Sequence, residues 1–125
     1  MAKMMQVSVD LLAKKYCNPL KDPPWDLLKR EIYPISDSDI ELRLKRRLKR
    51  FRAYDSCRPE SRSRHIERIA WYVANGWGDS FITLDFNQDW LVYDGNHRLG
   101  AAIYLKEDMI WADVYGSLEE IRTLY

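Results

Sequence analysis

The sequence predicts an α+β domain in which a small mixed sheet is packed with helices. Three observations predict it. Residues 81–86 and 109–115 place apolar side chains on alternate positions, the period of a strand. Trp90, Leu91, Val92 and Tyr93 form a β-favouring run that breaks at Asp94-Gly95 and is followed by Leu99, Ala102 and Ile103 at helical spacing. Two Ser-x-x-Glu patterns, Ser38 to Glu41 and Ser117 to Glu120, mark helix starts. Strands are expected near residues 5–9, 80–86, 90–94 and 109–115.

A chain of 125 residues with 46% hydrophobic content and five tryptophans forms one domain, 1–125, long enough to bury a core without staples. No run approaches a membrane span and the N-terminus lacks a signal-type apolar segment, so a cytoplasmic protein with no membrane partner is expected. Cys17 and Cys57 share no short spacing, which argues against a disulfide framework and predicts no metal site from the chain's own cysteines. The net charge is only +1, yet residues 40–68 carry eleven Lys or Arg against four Asp or Glu, and residues 69–125 carry three against nine. The molecule is therefore electrostatically two-ended.

In chain order, Val7 and Val9 alternate with Gln6 and Ser8 as a first short strand, and Asn18-Pro19 closes the segment after it. Asp22-Pro23 is a helix entry, Leu27, Leu28 and Ile32 give that helix an apolar face, and Pro34 ends it. Ser38 is expected to cap a basic helix over about 39–53, with Ile40, Leu44, Leu48 and Phe51 on one face and Arg43, Lys45, Arg46, Arg47, Lys49, Arg50 and Arg52 around the rest. A charge run usually solvates an outer face. Here it is dense and poor in balancing acids, so Arg43, Arg46, Arg47, Lys49 and Arg50 are candidates for binding nucleic acid or an acidic protein. Ser61 or Ser63 can cap the next helix, which buries Ile66, Ile69, Ala70 and Val73 and stops at Gly76; His65 is read as a surface histidine. Asn87-Gln88-Asp89 turns the 81–86 strand into an antiparallel partner, and the strand, helix, strand succession from Trp90 suggests a right-handed crossover. Ser117 opens a terminal helix through Ile121 and Leu124.

The corner at residues 94–98 carries the chemistry. Asn96 is a plausible N-cap, Gly95 lets a ligand approach the backbone, and the amides of a helix start favour an anion. His97 and Arg98 add side-chain donors, and Arg98 can grip a phosphate with two parallel bonds. Gly95, Asn96, His97 and Arg98 are therefore the predicted phosphate-binding residues.

Asp94-Gly95-Asn96-His97-Arg98-Leu99-Gly100-Ala101-Ala102 resembles the signature of the ParB/sulfiredoxin superfamily, a D-G-x-H-R or G-x-R-R turn followed by a small-residue helix. The resemblance extends from the helix near His65 to the C-terminus and loosely to the first twenty residues. It implies a ParB/sulfiredoxin-like fold carrying a helical insertion at about 22–58. It also implies that the turn binds nucleotide phosphates, as for CTP in partition proteins, ATP in sulfiredoxin and ADP in a free-serine kinase branch. ATP or another nucleotide with Mg2+ is then the implied cofactor. A sulfinic-acid reductase is disfavoured, because the turn cysteine it needs is replaced by Asn96.

Two function classes follow from the resemblance. In one the protein is a nucleotide hydrolase, phosphotransferase or nuclease, with His97 acting on the phosphoryl group and Asp94 as a metal-binding or base carboxylate; Asp10 is the one candidate for a second acid near the first strand. In the other it is a small stand-alone phage- or plasmid-type regulator or inhibitor that binds a host protein or nucleoprotein complex through its basic helix. The partition role is disfavoured, since the sequence shows no helix-turn-helix or dimerisation region.

Overall fold

A computed structural model of the chain describes residues 2–22, 34–48 and 62–125. Among these residues the fold is mixed α+β, with four strands in one sheet and five helices. β1 (Ala2–Ser8) runs directly into α1 (Val9–Lys15), and Ser8 makes the junction by accepting the Leu11 amide at 3.1 Å. α2 (Asp37–Leu44) and α3 (Arg62–Asn75) follow, then the hairpin of β2 (Ile82–Asp85) and β3 (Val92–Asp94). α4 (Asn96–Tyr104), β4 (Met109–Tyr115) and α5 (Leu118–Arg122) complete the chain.

The sheet order is β1-β4-β2-β3. β4 pairs antiparallel with β1, Val7 opposite Ile110, and parallel with β2, Ile82 opposite Ala112. Val7, Ile82, Leu84, Val92, Ile110, Ala112 and Val114 line the inner face and close a core with Leu12, Leu99, Ala102, Ile121 and Leu124. A second cluster lies between the helices, where Ile40 of α2 and Ile66, Ile69 and Ala70 of α3 meet Ala101 of α4. Thus α4 is wedged between the sheet and α3. Its small residues permit this: a Cβ on Gly100 would already stand 3.4 Å from Ile69 Cδ1 and Leu20 Cδ2.

The parallel neighbour of β4 is β2, so β3 runs antiparallel to β4 and the crossover joins β2 to β4 through β3 and α4. The strand expected at 5–9 lies at 2–8, because Ser8 spends its hydroxyl on capping a helix that the alternating Val7-Ser8-Val9 pattern concealed. The strand expected from Trp90 starts at Val92, leaving Trp90 69% exposed. The α2 capping box is Ser36 with Asp39, not Ser38 with Glu41: Ser36 N–H donates to Asp39 Oδ2 at 2.8 Å and the Asp39 amide donates to Ser36 Oγ at 3.2 Å. Arg62 locks this register by donating to Asp39 Oδ2 and to the Pro34 carbonyl.

The basic helix expected over 39–53 ends at Leu44, where Arg43 folds over the turn to donate to the Arg47 carbonyl. Lys45, Arg46 and Arg47 are exposed beyond it. Ending the helix there relieves the repulsion that a continued run of cations would carry. Lys49, Arg50, Cys57 and the helix expected within 22–33 lie outside the described residues, as does most of the 22–58 insertion.

Gly95 is set by two constraints at once. Its φ is +103°, and a Cβ there would lie 2.5 Å from Ile82 Cγ2. The Gly95→Ala variant should lose roughly 2–4 kcal/mol in urea unfolding, combining left-handed strain with overpacking. Gly78→Ala, left-handed but surrounded by open space, should lose only about 1 kcal/mol.

Candidate functional site

The corner between β3 and α4 meets the middle of α3. Gly95, not Asn96, is the N-cap: the first intrahelical bond runs from the Leu99 amide to the Gly95 carbonyl at 2.8 Å, and no side chain caps the helix. The amides of Asn96 and Arg98 precede that bond and point out of the helix end. Asn96 turns its side chain back, donating Nδ2 to the Val92 carbonyl at 3.3 Å, while Cys17 Sγ sits 3.8 Å from its Oδ1. Gly95 presents its bare Cα to Ile82, so chain packing requires glycine here.

Arg98 lies along the start of β2. Its Nη1 donates to the Phe81 carbonyl at 2.7 Å and its Nη2 to Asp94 Oδ2 at 3.2 Å, and its side chain is 13% exposed against 69% for Asp94. Two of the five guanidinium N–H groups are committed among the described residues, and the cation is held in one place.

His97 faces α3, where it meets a histidine that its position on the helix had suggested was at the surface. His65 is 4% exposed, its Nδ1 lies 2.8 Å from His97 Nε2, and the rings stack at 5.1 Å and 13°. Burial, and secondarily Arg68, pushes His65 down to about 4. Burial also pushes His97 well below its ordinary range, aided by His65, Arg68 and Arg98 in that order. Both imidazoles are therefore neutral near pH 7, and the bond between them has one ring as donor and the other as acceptor. Arg68 is 5% exposed on the same α3 face.

The structure thus brings Asp94, His97 and Arg98 together and adds His65 and Arg68. Tyr72 completes the group: burial pushes its phenol up, with Arg98, Asp94 and Arg68 all acting on it electrostatically. These α3 residues recur at i, i+3 and i+7, a stripe of polar groups on an otherwise apolar face. That is the signal that could have found them. Comparison with protein-family models, curated proteins and solved structures finds no match.

The remaining candidates stand apart. Asp10 pairs with Lys14 at 3.1 Å on exposed α1. Arg43 is taken up by Glu67 at 3.1 Å as well as by the Arg47 carbonyl. Cys17 is half-buried and its thiol is pushed up by burial and by Asp22, which keeps it protonated near neutrality. Among the described residues no three or more His, Cys, Asp or Glu side chains converge as a metal site, and no helix is long and apolar enough to cross a membrane.

The histidine pair makes folding acid-sensitive. The unfolded chain protonates these rings near their ordinary value of 6.5, whereas the folded chain holds His65 near 4 and His97 well below its ordinary range. Stability is fully present above pH 6.5 and falls as pH drops below it, by about 1.4 kcal/mol per pH unit for each histidine. Urea titrations from pH 6.5 down to about 5, above the carboxylate range, should show that slope, and His65→Gln should roughly halve it.

Proposed function

We propose that this protein binds the phosphate groups of a nucleotide at the α4 start, as a ParB-like domain. One observation carries the reading: two mostly buried guanidinium groups, Arg98 and Arg68, act on the first turn of α4 while both nearby imidazoles stay neutral. The guanidinium charge is thus permanent, and Asp94 is the exposed carboxylate paired directly with Arg98 at 3.2 Å. An anion placed there would meet the outward amides of the helix end and the free edge of Arg98. Holding Arg98 on Phe81 and Asp94 before the ligand arrives lowers the ordering cost of binding.

The same geometry ranks the enzymatic roles. Asp94 is exposed and stands beside the phosphate position, so in a phosphotransferase, hydrolase or nuclease it is the group suited to hold the Mg2+ of ATP or another nucleotide. His97 directs Nε2 into the His65 contact, which suits positioning the turn better than passing a proton. The regulator reading rests on Arg46 and Arg47, exposed beyond α2 and available to nucleic acid or an acidic protein.

A thermal-shift panel of nucleotides with and without Mg2+ tests the proposal. A nucleotide at one hundred times its dissociation constant should stabilise the wild-type protein by about 2.7 kcal/mol, a shift of several degrees. Arg98→Ala and Arg98→Lys should both remove most of that shift, because neither replacement restores the fork. An equal shift in the variants, or none in the wild type with any nucleotide, would refute it. Charge reversal at Arg46 and Arg47 should leave the shift intact and abolish binding only if the regulator reading holds.

A further inference from the structure

A cavity of about 640 Å3 lies between the end of α1, the β2–β3 loop and the first residue of α4. We propose that it binds an organic cation, an alkylguanidinium or alkylammonium group on an aliphatic stem. Nothing in the phosphate reading requires this site. The two are opposite in charge.

The cavity wall selects the ligand class. Tyr16, Phe86, Trp90 and Tyr93 contribute four aromatic rings, Asp85 and Asp89 contribute two carboxylates, and among the described residues no Lys, Arg or His lines the space. The floor is fixed: Tyr16 and Phe86 meet edge to face at 6.0 Å and 85°, and the Tyr16 hydroxyl is bonded to Thr123 Oγ1 at 2.6 Å. Asp85 is likewise held, accepting the Asn87 amide at 2.9 Å. At the rim Trp90 and Tyr93 are large apolar rings exposed to solvent. Asp89 makes no hydrogen bond or ion pair among the described residues.

A phosphate or carboxylate entering this space would meet two like charges, and the ammonium of Lys15, outside the lining, stands 5.4 Å from the centroid of the Tyr16 ring. A neutral aromatic ligand would use the rings and leave the carboxylates unanswered. A cation satisfies both, because ring faces are electronegative and a carboxylate accepts charge-assisted hydrogen bonds. The apolar wall takes the methylene stem, and the volume falls in the range of small-ligand sites. The same cationic head is available on a free amine or on an arginine or lysine side chain of a peptide.

The test uses butylguanidinium as the free cation and acetyl-Gly-Arg-Gly-amide as the peptide, each against its uncharged urea counterpart, N-butylurea and the citrulline peptide. Titrations are followed by the Trp90 indole and backbone amide resonances of the full chain. At millimolar concentration at least one cation should shift Trp90 together with Asp85 and Tyr16, and its urea counterpart should bind roughly tenfold more weakly or not at all. Binding by butylguanidinium identifies a small-molecule site, and binding by the arginine peptide alone identifies a peptide-reading site. Asp89→Asn and Trp90→Ala, both on the exposed loop, should each weaken binding several-fold while leaving the amide spectrum of the core unchanged. Equal affinity for charged and uncharged ligands, no cation-induced shift at the wall, or undiminished binding in Asp89→Asn would overturn the proposal. Because Asp89 and Trp90 are not among the groups assigned to phosphate, either reading can fail without the other.

Discussion

The fit of Gly95 against Ile82 is the constraint on which the rest of the structure depends. The left-handed corner brings the chain off β3 and onto the start of β2, with no room for a side chain between them. Once that contact is made, α4 has to begin where it does. The guanidinium of Arg98 then reaches the Phe81 carbonyl, one residue before Ile82, and the register shift between Thr83 and Leu84 absorbs the mismatch in the hairpin.

The second layer of organisation is electrostatic. α4 is pressed on one side to the sheet and on the other to α3, so the groups that α3 sends into that seam are withdrawn from water together. Arginine remains charged under such burial while histidine gives up its proton. The seam therefore holds a fixed positive charge with neutral imidazoles packed against it. Desolvating guanidinium groups is costly, and Arg98 recovers part of that cost through the Phe81 carbonyl and Asp94.

Much of this was legible in the sequence. The strand over 109–115, the Ser117 and Glu120 capping box, the Gly76 stop and the buried face of α3 follow from local periodicity and cap chemistry, and they appear as read. The corner at 94–98 was legible too, because Asp-Gly between a strand and a helical stretch has few alternatives. What escaped depended on partners distant in sequence. Ser36 and Ser38 offer equivalent caps locally, and Arg62, twenty-three residues from Asp39, decides between them. His65 looks like any polar residue near a helix start until His97 is brought against it. The seven-residue α1 carries too few turns to show its own period.

Asn96 stands where the two charge environments divide. On one side are Arg98 and the α3 seam, and on the other the cavity with Asp85 and Asp89. Its amide spans the boundary, donating to Val92 and lying against the Cys17 thiol, which burial keeps uncharged. A carboxylate at position 96 would extend the acidic wall to the helix end and offset the charge of Arg98 there. A lysine or arginine would do the opposite and fill the negative cavity from within. A neutral side chain that is both donor and acceptor leaves the two fields as they are, and it ties the first turn of α4 to the chain on either side.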